Sequence, residues 1–278
     1  MPTFATPGPV AATVVVAGAH VRVTASDRTD TVVLVEPVDK ASPSDVRVAD
    51  KTRVDFANGR LSVKTTASGD RNGSVAITID LPAGSSLVSY LAHSDVQADG
   101  SFGECELHMA SGGVRLDRIR ALQANIGGGE VTIGHIAEPA TIEGAAFALR
   151  IGEVADTVTL SSSGGRVWIG HASADLDLSS GSGGFDIDRA DGSVTAKTGD
   201  GAIRIGRLTR GRAELWNHAG NIEVGIGEGT AARVDADSKR GSVRNSVPSR
   251  DNPGTSGDTL TVHARTRHGD ITVHRAAS

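Results

Sequence analysis

Apolar and polar residues alternate along most of the chain, and between residues 130 and 208 this alternation recurs at a fixed interval. In each repeat an apolar residue, a variable residue and a second apolar residue are followed by glycine or aspartate and then a charged residue or histidine. The first apolar residues of five successive repeats lie 18 residues apart: Val131, Leu149, Val167, Phe185 and Ile203. Alternation with a period of two predicts β-strands, and a fixed repeat of this length predicts a solenoid built from them.

The repeat continues on both sides of this region, with first inward residues at Val96, Val114, Ile222, Val243 and Ile271. We therefore expect coils of about 18 residues over residues 87–278, stacked in the order of the sequence. The interval widens near the C-terminus, where residues 247–258 are rich in proline, glycine and serine. This composition predicts a loop inserted between late coils.

Residues 1–86 contain shorter strand-like segments and are expected to form a β cap or sheet continuous with the solenoid. Asn58-Gly59 predicts a hairpin turn, and Glu36–Asp50, which contains two prolines, is expected to be a surface loop. No segment shows the 3.6-residue apolar spacing of an amphipathic helix. The predicted fold is all-β, a parallel β-helix, with the handedness of its coil undecided.

Charge and cysteine content narrow the range of partners. The net charge is −5 and the charged residues are mixed, so nucleic acid is not an expected partner. Cys105 is the only cysteine and cannot form an internal disulfide, which fits a reducing compartment. The first nine residues carry no positive side chain, and no run of about 18 apolar residues occurs, so we expect neither a secretory signal nor a transmembrane segment and predict a cytoplasmic location.

The phrase Ser-Gly-x-Val-x-Ile-Gly, represented by residues 165–170 and 201–206, resembles the bacterial toast-rack family, whose members are also called putative adhesins. The resemblance covers about two thirds of the chain and implies a β-strand repeat fold. It further implies a scaffold or interaction module linked to envelope-stress signalling. The family supplies no catalytic signature to place on residues of this chain.

Enzymatic motifs are also missing from the sequence. It has no P-loop, no Gly-x-Ser-x-Gly elbow and no zinc-ligand spacing, so we predict no catalytic, cofactor or metal site. Asp186 and Asp188 form an outward carboxylate pair, although a flat coil face would give them no groove. The alternative to a non-enzymatic scaffold or interaction module is a carbohydrate-binding or carbohydrate-active β-helix, because this architecture commonly hosts lyases.

Two groups of residues are candidates for an interaction surface. Trp168 should point outward beside Arg150 and Asp186 in the adjacent coils, and Trp216 should also point outward. The second group would align along one edge as a docking strip for an acidic partner and comprises His135, His171, Arg189 and Arg207. Ordinary polar turn residues would give the same pattern. A coil left uncovered at one end would also permit end-to-end self-association.

Overall fold

The computed structural model describes residues 2–65, 73–247 and 260–276 and divides into two compact units, one ending at Ala137 and the other beginning at Glu138. The first unit contains β1 Thr3–Ala5, β2 Ala11–Ala17, β3 Ala19–Ser26, β4 Asp30–Pro37, α1 Pro43–Lys51, β5 Arg53–Ala57, β6 Arg60–Lys64, β7 Val75–Pro82, β8 Ser86–Ala92, β9 Ser94–Met109 and β10 Gly112–Ile136. The second contains β11 Ala140–Val154, β12 Val158–Ala172, β13 Leu176–Ala190, β14 Val194–Asp200, β15 Ile203–Leu208, β16 Arg212–Ala219, β17 Ile222–Ile226, β18 Ala232–Arg240, β19 Val243–Asn245, β20 Leu260–His268 and β21 Ile271–Arg275.

The second unit is a β-solenoid of parallel strands, as the repeat predicts. Leu149 lies opposite Val167, Val167 opposite Phe185, and Phe185 opposite Ile203. All four side chains are buried and form one column in the interior. Val131, the remaining member of the predicted column, is buried within the first unit.

The last three coils do not follow the order of the sequence. Ile222 pairs with Ile271, and Ile271 pairs with Val243. The coil made of β20 and β21 therefore lies between the coil of β16 and β17 and the coil of β18 and β19. The expected stacking order is wrong for these coils. Of the loop predicted at residues 247–258, every residue except Val247 lies outside the described residues.

Side-chain composition explains this exchange of positions. The middle coil has fully buried inward residues, namely Leu260, Val262, Ala264, Ile271 and Val273. The coil of β18 and β19 is less apolar at the matching positions, with Ala232 opposite Leu260, Val243 opposite Ile271 and Asn245 opposite Val273. Placing the more apolar coil where both its faces are covered removes more apolar surface from water.

A column of polar residues runs inside one corner of the second unit. Successive strands pair Ser180 with Thr198, Thr198 with Asn217, and Asn217 with Thr266. The Thr198 hydroxyl donates to the Gly183 carbonyl (2.9 Å), and the Asn217 amide donates to the Gly201 carbonyl (2.9 Å). These bonds link the side chains of the column to backbone carbonyls at the corners of the coils.

In the first unit the N-terminal strands lie between strands that come later in the chain. Val21 of β3 pairs with Ile77 of β7 on one side and with Val96 of β9 on the other. In the same way, β2 lies between β6 and β8. Antiparallel pairs of β4 with β1 and β7, and of β5 with β6, complete this unit.

Helix α1 corrects the prediction of a loop over residues 36–50. Ser42 caps the helix and its hydroxyl accepts from the Asp45 backbone N–H, Pro43 occupies the first turn, and Lys51 lies in the last. The helix has nine residues, of which only Asp45 and Val48 are buried. It is therefore too short to show a repeated apolar spacing in the sequence. Within residues 2–65, 73–247 and 260–276, no helix is long and apolar enough to cross a membrane.

Candidate interaction surface

Stacking of parallel strands places the outward residues of successive coils next to one another, about 4.8 Å apart. In the second unit, Arg150 lies opposite Trp168, Trp168 opposite Asp186, and Asp186 opposite Arg204. The Arg150 guanidinium stacks over the Trp168 ring, 4.7 Å from its centroid, and Trp168 is half-buried. The sequence-predicted neighbours of Trp168 thus form one column, in which a cation already covers the indole.

The outward carboxylates Asp186 and Asp188 both face Arg204. The guanidinium of Arg204 lies 2.6 Å from an oxygen of Asp186 and 3.4 Å from an oxygen of Asp188. The hydrogen bond that Arg204 donates to Asp186 raises the pKa of the guanidinium, which keeps it charged. The two carboxylates and the arginine that they share therefore form an ion cluster on the surface.

The predicted basic edge is organised by an acidic residue. Glu153, His171, Arg189 and Arg207 are consecutive partners in β11, β12, β13 and β15. Asp191 is at their centre: the His171 Nε2 lies 2.8 Å from it, and the Arg189 guanidinium binds it at 2.8–3.0 Å. His135, the other predicted member, belongs to the first unit and is half-buried.

Asp191 is strongly acidic because its hydrogen bonds together lower its pKa by more than its burial raises it. Burial is the largest single influence and would raise its pKa, but hydrogen bonds from Arg189, His171 and Thr209 together lower the pKa to about 2. The carboxylate is therefore charged at neutral pH and offsets the positive charge of Arg189. Less positive charge is left for an acidic partner than the sequence pattern suggests.

Trp216 stands in a different environment from Trp168. It is 56% exposed and lies between Lys197 on β14 and Arg265 on β20, with Asp237 on β18 as the next residue in the column. The surrounding groove has a volume of about 700 Å³ and is also lined by Lys239 and Arg267. We call these residues, together with their immediate backbone, the Trp216 groove.

Sequence reasoning identified Trp216 but missed its basic neighbours. Arg265 reaches the groove only because β20 lies beside β16, whereas sequence order would bring Asp237 there instead. The Arg265 guanidinium bonds to Asp235 at 2.6 Å. Among the described residues, Lys197, Lys239 and Arg267 have no ion-pair or hydrogen-bond partner.

An aromatic pair in the first unit was also missed. The rings of Tyr90 and His108 are stacked, with centroids 4.6 Å apart, and His108 bonds to Glu106 at 2.6 Å. Tyr90 on β8 is opposite His108 on β9. The register between these strands has no marker in the sequence, so the pair could not be predicted from it.

Two further histidines of the second unit have separate acidic partners. His263 pairs with Asp235, and His274 pairs with Glu223, on separate strands. Burial raises the pKa of the Cys105 thiol to about 12, so it stays protonated and unreactive. In the part of the chain that the structure describes, no group of three or more histidine, cysteine, aspartate or glutamate residues could hold a metal ion.

Comparison with known proteins finds a matching family profile and several solved structures that resemble this chain. A family profile described as Toastrack DUF4097 matches residues 13–276. A solved putative adhesin from Bacteroides fragilis NCTC 9343 has 12% identity and a TM-score of 0.38, covering 98% of this chain and 95% of its own. One from Parabacteroides distasonis ATCC 8503 has 11% identity and a TM-score of 0.43, with the same coverage. No curated protein matches the chain.

Proposed function

Because the chain belongs to the Toastrack DUF4097 family, we propose that it is a non-enzymatic, adhesin-like scaffold that acts as a protein-interaction module. The observation that carries this proposal is the open face of its terminal coil. Within the described residues, β18 and β19 pair with another strand on one side only. We extend the proposal to envelope-stress signalling on the family resemblance alone.

The partner that fits this open edge is a second copy of the chain. An unpaired strand edge favours addition of another strand, and burial of Val234, Ala236 and Val243 would favour it further. In an antiparallel pair that sets Val234 against Ala236 of the second copy, Arg233 of each copy faces Asp237 of the other. These two opposite-charge pairs define a twofold symmetric contact. Asp235 of the two copies meets on the twofold axis, where Arg265 of each copy, 2.6 Å from the carboxylate, offsets its charge.

Charge exchange tests this contact. Arg233→Asp should weaken self-association about tenfold, because it replaces two attractive pairs with two repulsive ones. The double variant Arg233→Asp/Asp237→Arg restores both attractive pairs and should recover the association. Sedimentation velocity over a range of concentrations provides the measurement, and circular dichroism confirms that each variant is folded.

Two results would contradict the proposal. The first is a wild-type chain that sediments as a monomer at every concentration. The second is self-association that the single substitution leaves unchanged.

Carbohydrate binding is a second candidate function, and one observation favours it. Trp216 presents an exposed indole within a groove, a feature that suits stacking against a sugar ring. This candidate is centred on Trp216 of β16, two strands from the open edge of β18.

A further inference from the structure

The Trp216 groove concentrates positive charge on a chain whose net charge is negative. Lys197, Lys239, Arg265 and Arg267 line it, against the single carboxylate of Asp237. Only Arg265 among these cations has a counter-ion within the described residues. Such a cluster creates a local positive potential that attracts an anionic ligand.

The indole of Trp216 is available for stacking. Arg150 covers the ring of Trp168, whereas no arginine or lysine of the described chain stacks on the ring of Trp216. The face of an indole carries partial negative charge and attracts the positively polarised C–H groups of a flat apolar surface. A pyranose ring offers such a surface together with polar groups at its rim.

The hydrogen-bonding groups of the groove distinguish a sugar chain from a peptide. The strands β14, β16 and β20 are each paired on both sides, so their backbones cannot pair with an incoming peptide. The charged side chains of the groove are donors except for Asp237. A peptide brings equal numbers of backbone donors and acceptors, whereas a chain of uronic acids is rich in acceptors.

We propose that the Trp216 groove binds an acidic polysaccharide composed of uronic acid residues. One pyranose ring stacks on Trp216, and carboxylates on the flanking sugars bind Lys197 and Arg265, which lie one strand away on either side. Lys239 and Arg267 extend the positive surface along the sugar chain. The inference rests on the carbohydrate-binding candidate above. The groove shares Asp237 of β18 with the self-association contact, but Trp216 on β16 lies two strands from that edge.

The two tryptophans permit a direct test with polygalacturonate as the probe. Trp168→Phe leaves Trp216 as the only tryptophan, and titration should produce a saturable change in its fluorescence. Trp216→Phe leaves Trp168, which should not respond. Fluorescence that responds only through Trp168 would overturn the placement of the site.

Calorimetric titration with the same polymer separates the contributions of stacking and charge. Trp216→Ala should weaken binding about tenfold. Lys197→Gln/Lys239→Gln should also weaken binding and reduce its sensitivity to salt. Lys64→Gln removes an exposed lysine of the first unit and serves as the matched control, for which binding should be unchanged.

Neutral and peptide polymers define the results that overturn the proposal. Dextran binding as tightly as polygalacturonate would exclude charge recognition, and polyglutamate binding as tightly would indicate an acidic peptide ligand. Absence of polygalacturonate binding to the wild-type chain would also refute it. The Trp216→Ala variant should still self-associate. If polysaccharide binding is not found, the strand-edge contact is therefore still tested separately, by sedimentation velocity.

Discussion

At the scale of single residues, polar side chains stabilise positions where the backbone bends or where coils meet. Asp191 binds Arg189 of its own coil and His171 and Thr209 of the coils on either side. Thr198 instead points inward, and its hydroxyl donates to a corner carbonyl. The sequence shows that both are polar, but His171 and Thr209, which bind Asp191, and Gly183, which accepts from Thr198, lie 15 or more residues away and are brought close only by the register of the strands.

The acidity of Asp191 predicts how stability depends on pH. Its folded pKa of about 2 lies below the ordinary value of 3.8, so its contribution is present above about pH 4 and is lost as the pH falls towards 2. The shift corresponds to about 2 kcal/mol of unfolding free energy. Urea unfolding should show Asp191→Asn less stable than wild type by about this amount at pH 6, and by little at pH 2.

A matched control is available in the same unit. Asp177 is exposed and has no hydrogen-bond partner among the described residues. Asp177→Asn should therefore change stability by less than about 0.5 kcal/mol at either pH. A constant difference between wild type and Asp191→Asn across this range would contradict the assigned role of the carboxylate.

At the scale of strands, alternation in the sequence is sufficient to assign the two faces. Val167 and Ile169 are buried as predicted, and Trp168 between them faces outward. Helix α1 was not predicted because its nine residues span too few turns for a periodic pattern. Its capping serine and first-turn proline were present, however, and would have indicated a helix start.

Adjacent substitutions in β12 test this assignment of faces. Ile169→Asp buries an unpaired carboxylate and should cost more than about 4 kcal/mol of unfolding free energy. Trp168→Asp should cost about 1–2 kcal/mol, since it removes contact with Arg150 on a partly solvated face. Urea unfolding provides both values, and Ile169→Ala, at about 2–5 kcal/mol, replaces the first variant if that does not fold. Equal losses at the two positions would be inconsistent with the structure.

At the scale of the whole molecule, sequence periodicity predicted coils but not the order of the last three. A repeat identifies which residues point inward, whereas the order of coils depends on which has the greater apolar surface to cover. The order of the coils also determines the composition of the candidate site, because insertion of β20 beside β16 places Arg265 next to Trp216. The positive character of the Trp216 groove therefore depends on an arrangement that local patterns do not encode.

Paired cysteine substitutions measure this coil order directly. Glu223 lies opposite Thr272, whereas Arg244 lies one strand further away, beyond Thr272. Adjacent strands bring the Cα atoms to about 4.8 Å, within disulfide range, and a separation of two strands, about 10 Å, is out of range. Under mild oxidation, Glu223→Cys/Thr272→Cys should form an intramolecular disulfide and Glu223→Cys/Arg244→Cys should not. The opposite result would show that the coils stack in sequence order and would contradict the account.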